Sequence, residues 1–368
     1  MNRLDDVMRS GMLSAFRGYK AGNLGGKYVQ ELEELFCEAF KVKYAVSMNS
    51  ATSCLHAALV ACGVDYGDKV ATTPYAFSAT AASILHAGGI PYFCDIEDET
   101  FNLDPHMMTF YEGTKVLLPV HLHGHPADMD GFMNLAKVHG FKVVEDASQA
   151  LGAKYHGEYA GTIGDCGVFS FNQSKPLSTG EGGMLITNDA EICEIARLVR
   201  NHGETQSGVL GWNYRLTEPI AAIAIERFIN LDNRRVDNAN LLTRKLSQVK
   251  GLTPPIVKEG CTHVYYTYPV KYRWNDRDRF QNMLIDRGVY FGKGYVTPLY
   301  LQEIYQKRTL HILKHEGSAI DYAEGLCPVT ERMWRDELCV TDIIKDDLDA
   351  DKIADTIKDV LWELKHLT

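Results

Sequence analysis

In Val168-Phe-Ser-Phe-Asn-Gln-Ser-Lys175-Pro-Leu-Ser-Thr-Gly-Glu-Gly-Gly-Met-Leu-Ile-Thr187, two apolar runs flank a polar loop. Val168, Phe169 and Phe171 read as a short buried strand, and residues 184–187 as the next. The loop carries one lysine, Lys175, and then Gly180-Glu181-Gly182-Gly183. An amine at the rim of a buried sheet, followed by backbone free to take unusual torsions, suits Schiff-base chemistry. A desolvated amine sheds its proton more readily and becomes a nucleophile near neutral pH. A lone loop lysine is more often a solvated charge, so the reading depends on the residues that surround it.

Strands and helices alternate on the N-terminal side. Residues 44–48 read as a strand, followed by the hydroxyl-rich turn Asn49-Ser-Ala-Thr52-Ser53 and a helical run over 54–61. Strand, turn, helix is the geometry of an anion site, because free N–H groups and the helix dipole favour a phosphate there. The plainer alternative is that Thr52 or Ser53 caps the helix. Residues 69–73, 90–94 and 115–121 read as apolar strands. Residues 130–140 read as a helix stopped by Gly140, and 141–145 as a buried strand running into Asp146. This rhythm predicts a mostly parallel sheet covered by helices, with ligands at the carboxyl ends of its strands. Thr52, Asp146 and Lys175 all fall at such ends.

Val29, Leu32, Leu35, Phe36, Ala39 and Phe40 share a helical face over 28–40. Gly18, Gly22, Gly25 and Gly26 precede it and predict an N-terminal arm and loop. A helix over 217–230 has Pro219 in its first turn, and the polar residues 232–238 then carry a crossing. The expected division is a large domain over 1–235, arm included, and a smaller α+β domain over 236–368. In the latter, 264–273 reads as a strand with one exposed face. Ile353, Ile357, Val360, Leu361 and Leu364 have helical spacing.

The 368 residues are 45% apolar and 23% charged, ordinary for a globular enzyme. The net charge of −10 and the lack of basic runs argue against a nucleic-acid partner. Nine cysteines, an odd number without a Cys-x-x-Cys pair, argue against a disulfide framework or zinc ribbon. Reduced thiols in the cytoplasm are the expectation. The N-terminus shows no apolar signal core. The uncharged residues 70–94 are broken by Pro74, Gly88, Gly89 and Pro91, so they read as core rather than a membrane span.

A pyridoxal 5′-phosphate site needs a lysine, a carboxylate for the pyridine nitrogen, a phosphate cup and something flat over the ring. Lys175 and Asp146 supply the first two. Thr52, Ser53 and Ser170 are candidates for the cup, and Phe77 for the ring face. Phe77 has plain core as its bland alternative, and Asp146 has a helix cap.

At this point the chain resembles the DegT/DnrJ/EryC1/StrS sugar aminotransferases. The matching segments include Asn49-Ser-Ala-Thr-Ser-Cys-Leu55, Pro119-Val-His121-Leu-His-Gly-His-Pro-Ala-Asp-Met-Asp130 and Val144-Glu-Asp146-Ala-Ser-Gln149-Ala150. They continue with Gly164 to Phe171, Lys175, Gly180 to Gly183, Arg200-Asn-His-Gly203, Gly211-Trp-Asn213-Tyr-Arg215-Leu216 and Pro328-Val-Thr-Glu-Arg332. The resemblance implies an α/β fold of the type I pyridoxal-phosphate transferases: a mostly parallel seven-stranded sheet flanked by helices, plus a smaller C-terminal α+β domain. It implies that Lys175 bonds to the cofactor and shuttles the proton, Asp146 pairs with the pyridine nitrogen, and Gln149 approaches the ring hydroxyl. Ser170 holds the phosphate with the Thr52 turn. Asn213 reaches the phosphate of the neighbouring subunit of a homodimer with shared sites. Arg215 meets a donor carboxylate, and His121 belongs to a strand-end motif near the substrate. The implied reaction moves an amine from L-glutamate to a nucleotide-linked keto sugar.

Departures from the family pattern are Ala51 for a glycine in the phosphate turn and Pro176 for an asparagine after the lysine. In Gly294-Tyr-Val-Thr-Pro-Leu-Tyr300 both histidines usual near the sugar are missing. Rival readings are a pyridoxal-phosphate sugar dehydratase or isomerase of the same fold, and a metal hydrolase using His121, His123 and His125. Family dehydratases carry histidine at the lysine position, which Lys175 opposes. The hydrolase reading takes its ligands from alternate residues of a strand. A nicotinamide oxidoreductase requires a glycine-rich turn that residues 49–53 lack.

Overall fold

The computed structural model describes residues 3–17, 23–204, 208–274, 276–341 and 350–366. Strands β1 (Tyr44–Met48), β2 (Lys69–Thr72), β3 (Ile90–Phe93), β4 (Thr114–Leu118) and β5 (Lys142–Asp146) precede a small hairpin, β6 (Lys154–Tyr155) and β7 (Glu158–Tyr159). Then come β8 (Cys166–Ser170) and β9 (Gly183–Thr187). The seven long strands form one sheet in the order β1-β9-β8-β5-β4-β2-β3. From β8 through β5, β4 and β2 to β3 every pairing is parallel; β9 runs antiparallel between β8 and β1. This is the expected α/β architecture. The strands read as continuous apolar runs because helices cover both faces.

Those helices are α1 (Arg3–Ser10), α2 (Lys27–Phe40), α3 (Ala51–Ala61), α4 (Ala79–His86), α5 (Met129–His139), α6 (Ala190–Arg200) and α7 (Glu218–Ile229). Gly140 ends α5 in the left-handed region, at φ 75°. The expected N-terminal arm is helical over Arg3–Ser10 and irregular over residues 11–17. Val7 of α1 is buried, Arg3 pairs with Glu31 and Glu226, and the Tyr28 hydroxyl donates to Asp6. Gly18 and Gly22 lie outside the described residues.

The chain leaves the first sheet between Ile229 and Arg234. It continues through α8 (Arg234–Leu246), β10 (Leu252–Thr253), β11 (Tyr268–Tyr272), α9 (Arg277–Asp286), β12 (Gly292–Lys293), α10 (Glu303–Gln306), α11 (His311–Lys314), α12 (Pro328–Arg332), β13 (Leu338–Thr341) and α13 (Ala350–His366). A second sheet has the order β10-β11-β13-β12. Its core joins Leu242 and Leu246 of α8 to Ile357 and Val360 of α13 and Tyr268, Val270 and Tyr272 of β11. Residues 299–327 return to the first core, where Leu299, Tyr300 and Leu313 pack with Phe93 and Phe132.

The exposed face expected over 264–273 does not exist, since every residue of β11 is buried. Val270 faces the helices, while Lys271 donates from Nζ to Asp98, in the segment after β3 (2.8 Å). An alternating polar pattern looks the same in sequence whether its polar face meets water or another polar surface.

Beneath β1 lies a buried ion pair. Arg200, 0% exposed, donates to Glu33 (2.6 Å), to the Ser47 carbonyl (3.1 Å) and to the Asn23 carbonyl (2.8 Å). Glu33 also accepts from the Ser47 N–H and hydroxyl. Removing one partner leaves an uncompensated charge in the core. Glu33→Gln is expected to cost about 3 kcal/mol of unfolding free energy, read from urea denaturation.

Two buried imidazoles set an acid limit. Burial lowers the pKa of His56, helped by nearby His86, to about 4. Burial alone lowers His123 to about 3. Both titrate near 6.5 once unfolded. Below that pH the unfolded chain binds protons that the folded one refuses. Stability is therefore whole above pH 6.5 and falls as pH drops towards 4 and then 3. Thermal midpoints measured across that window should decline steadily.

Candidate active site

The carboxyl ends of β1, β5 and β8 open on a cleft of about 280 Å³. One wall is the start of α3. Ser50, not Thr52 or Ser53, is its cap: Ser50 Oγ accepts the Ser53 N–H (3.1 Å), so the helix begins at Ala51 rather than near Cys54. The Ser53 hydroxyl donates to Asn49 Oδ1 (2.7 Å), and its side chain stays out of the cleft. Ala51 and Thr52 line it; the N–H groups of Ser53 and Cys54 are taken by Ser50, so those of Ala51 and Thr52 are the ones the first turn can offer to the space. Gly183 makes this possible. A Cβ there would lie 2.6 Å from the Ala51 nitrogen, so only glycine lets β9 pass so close to the helix start.

Asp146 ends β5, 4% exposed and facing the cleft. Oδ2 accepts the Thr80 hydroxyl (2.8 Å) and Oδ1 the Ser148 N–H (3.1 Å). The carboxylate is thereby fixed in direction. Lining the same cleft, Lys175 sits in a tight turn in which its N–H donates to the Asn172 carbonyl (2.9 Å). Its Nζ lies 3.7 Å from the centre of the Tyr266 ring, a cation–π contact. The Ser174 and Tyr266 hydroxyls are 2.9 Å apart, tying the turn to the chain leading into β11. Phe77 is 63% exposed, with its ring on the cleft wall, a flat apolar face without a partner.

Gln149 is held on both sides. Its Oε1 accepts the His123 N–H (2.7 Å), and its Nε2 donates to the Tyr295 hydroxyl (2.9 Å). Burial raises the Tyr295 pKa, so the phenol stays protonated. With one lone pair already used, its proton is free to point into the cleft.

The fold thus brings together Lys175, Asp146, Gln149, Thr52, Phe77 and Ser170. It does not bring His121. That ring is 0% exposed; Nδ1 accepts the Ala127 N–H (2.9 Å) and Nε2 donates to Glu145 (2.9 Å). Glu145 also accepts from the N–H groups of Gly161, Ile163 and Gly164, so the pair braces the chain beside Asp146. The strand expected over 115–121 ends at Leu118, and a 3-10 turn follows. His121, His123 and His125 therefore diverge, to Glu145, Thr267 and Pro126 respectively. No group of three or more metal-binding side chains forms among the described residues. Asn213 is exposed and outside the cleft, and Arg215 donates to Asn201 (3.0 Å).

The departures also find their places. Tyr300 is buried, and its hydroxyl donates to Glu331, stapling the 299–301 turn to α12. Gly294 holds φ 57°, and a Cβ would crowd the Tyr75 hydroxyl at 3.2 Å. That hydroxyl accepts the Tyr295 N–H (2.7 Å). Thr80, Tyr266 and Tyr295 escaped the sequence reading. Thr80 had a signal, since it closes the Pro74-Tyr-Ala-Phe77-Ser-Ala-Thr80 segment around Phe77. The tyrosines arrive from the C-terminal part of the chain: Tyr295 had a signal in the Gly294–Tyr300 segment, whereas no local pattern marks Tyr266.

The donor set fits pyridoxal 5′-phosphate. One cleft holds a carboxylate with fixed direction, which would suit the pyridine nitrogen, an amine, which would suit the aldehyde, and a helix start flanked by hydroxyls, which would suit the phosphate.

Comparison with known proteins agrees with this geometry. Residues 11–345 match the model of the DegT/DnrJ/EryC1/StrS aminotransferase family. The chain is 38% identical to a pleiotropic regulatory protein of Geobacillus stearothermophilus, over 92% of this chain and 87% of that one. It is 35% identical to the GDP-perosamine synthase of Caulobacter vibrioides, over 67% and 69%. Among solved structures, DesV of S. venezuelae superposes with a TM-score of 0.85 at 29% identity, over 97% and 92%. With a matching model over most of its length and a lysine, a carboxylate and a helix start around one cleft, the chain belongs to the DegT/DnrJ/EryC1/StrS aminotransferase family, whose cofactor is pyridoxal 5′-phosphate.

Proposed function

We propose that this aminotransferase moves an amino group from L-glutamate to a nucleotide-linked keto sugar, a 4-keto- or 3-keto-6-deoxyhexose, for polysaccharide synthesis. The observation that carries the reading is the convergence of Lys175, Asp146 and the start of α3 on one cleft. The GDP-perosamine synthase relative supports the sugar class.

When bound, pyridoxal 5′-phosphate supplies the carbonyl that exchanges amines and the ring that accepts carbanion electrons. The chain does the rest. Lys175 takes the proton from the donor carbon and returns it to the acceptor carbon. Asp146, fixed by Thr80 and Ser148, holds a proton on the pyridine nitrogen. Thr52, Ser170 and the α3 N–H groups bind the phosphate, Phe77 covers one ring face, and Gln149 meets the ring hydroxyl. Asn213, exposed and outside this cleft, serves a second copy in a homodimer with shared sites. Arg215 lies beside it on the same segment and takes the donor carboxylate. The nine free thiols suit the reducing cytoplasm. No described helix is long and apolar enough to cross a membrane.

The test is a half-reaction. L-glutamate added to the cofactor-loaded protein should bleach the visible absorbance and release 2-oxoglutarate. A panel of nucleotide-linked keto sugars should then restore the colour. No spectral change with glutamate sinks the reading. A dehydratase would instead consume a sugar hydroxyl without net amine transfer.

A further inference from the structure

Two sulfurs meet at the end of the sheet far from the cleft. Helix α3 starts over the carboxyl ends of the strands and runs back across the sheet, so it finishes over their amino ends. Its C-cap is Cys62. Strand β8 begins at that end with Cys166. Side chains alternate along β8: Phe169 and Phe171 pack with Phe36 of α2, whereas Cys166 and Val168 pack with Leu55 and Ala58 of α3. Cys62 packs against that same cluster, and its thiol bonds to the Cys166 thiol.

The two thiols differ. Cys62 is half-buried and within reach of small solutes, while Cys166 is 1% exposed. The bond from Cys62, and then burial, hold the Cys166 thiol well above its usual pKa, so it keeps its proton. Beside Cys62 stands Lys142, the first residue of β5, whose ammonium is shared with Asp165 (2.7 Å) and lies near Asp189. It gives the sulfur a positive neighbour as the proton leaves. The other two half-buried thiols face carboxylates. Burial, then Glu33, pushes up the Cys37 thiol and outweighs Arg197. Burial, then Asp128, does the same for Cys261 and outweighs Lys258.

A reachable sulfur with a buried second sulfur against it turns oxidation into a reversible bond instead of damage. We infer that Cys62 and Cys166 form a peroxide-sensitive redox site, in which Cys62 meets the oxidant and Cys166 closes a disulfide. The Cys62 sulfur attacks one oxygen of hydrogen peroxide; the O–O bond breaks, Cys62 becomes a sulfenic acid and water leaves. The Cys166 sulfur then displaces the sulfenic hydroxyl, which departs as water with the Cys166 proton. In sum the pair of thiols gives up two electrons and two protons, and one peroxide becomes two waters. A thiol reductant such as glutathione restores the pair. The bond joins the far ends of the two elements whose near ends carry Thr52 and Ser170, and no cysteine lines the cleft, so the inference stands apart from the function proposed above.

The experiment exposes the cofactor-loaded protein to hydrogen peroxide, blocks the remaining thiols in urea and maps an unreduced digest by mass. The peptides holding residues 62 and 166 should appear joined, at the sum of their masses less two hydrogens, and dithiothreitol should part them. They should join about tenfold faster than any of the other cysteines is oxidised. In Cys166→Ala the second sulfur is gone, so the Cys62 sulfenic acid should persist and take up dimedone. In Cys62→Ser, Cys166 should stay reduced over the same time. The wild-type map requires neither variant to fold. Absence of the 62–166 link, or another pair linking first, overturns the inference. So does linkage at the same rate in urea-unfolded protein, because the fold is then not what brings the sulfurs together. Dimedone capture at Cys166 in Cys62→Ser, as fast as at Cys62 in Cys166→Ala, overturns it as well.

Discussion

Lys175→Ala should slow the glutamate half-reaction on the order of 10⁴-fold, the range seen when a covalent and proton-transferring group is lost. The protein should still fold. The lysine lies in a turn set by backbone bonds, Lys175 N–H to Asn172 and Gln173 N–H to Gly180, and these survive loss of the side chain. The Tyr266 ring loses only its cation. Single-turnover absorbance gives the rate. Borohydride reduction followed by peptide mass should add the cofactor to the peptide with residue 175 in wild type and to no peptide in the variant. Retention of even a tenth of the rate would move the chemistry elsewhere.

Asp146→Asn should cost on the order of 10³-fold in the same half-reaction, with weaker cofactor binding. Asparagine keeps the shape and one acceptor oxygen, so the Thr80 or Ser148 bond persists and the fold is preserved. What disappears is the negative charge that holds a proton on the pyridine nitrogen, and with it the pull on carbanion electrons. Asp146 is 4% exposed, and no other carboxylate is bonded to Thr80 or Ser148 to take over that charge among the described residues. Rates and cofactor titrations on the two proteins decide it. A change of less than threefold would mean that Asp146 only braces the end of β5.

Much of this was legible beforehand. The apolar runs over 69–73, 90–94 and 141–145 announced a covered parallel sheet, and all three became strands within a residue or two. Lys175, Asp146 and Thr52 could be placed at strand ends because strand ends are local features. Each misreading has a traceable cause. His121, His123 and His125 alternate, and alternation means a common side only while the chain stays extended. Here the strand had ended at Leu118. Ser53 looked like a phosphate ligand because a turn's hydroxyls are equivalent until one of them caps the helix; Ser50 did.

By itself the sequence determined the alternation of strand and helix, the lysine between two buried runs, and the glycine-rich loop that follows it. These follow from short-range periodicity and from backbone freedom, which neighbouring residues decide. Only the tertiary structure decided that Thr80 would aim Asp146, that Tyr266 would lie under Lys175, and that Tyr295 would clasp Gln149. Each of those contacts joins residues 66 to 146 positions apart, and it exists because the sheet order and the return of the C-terminal chain bring them together.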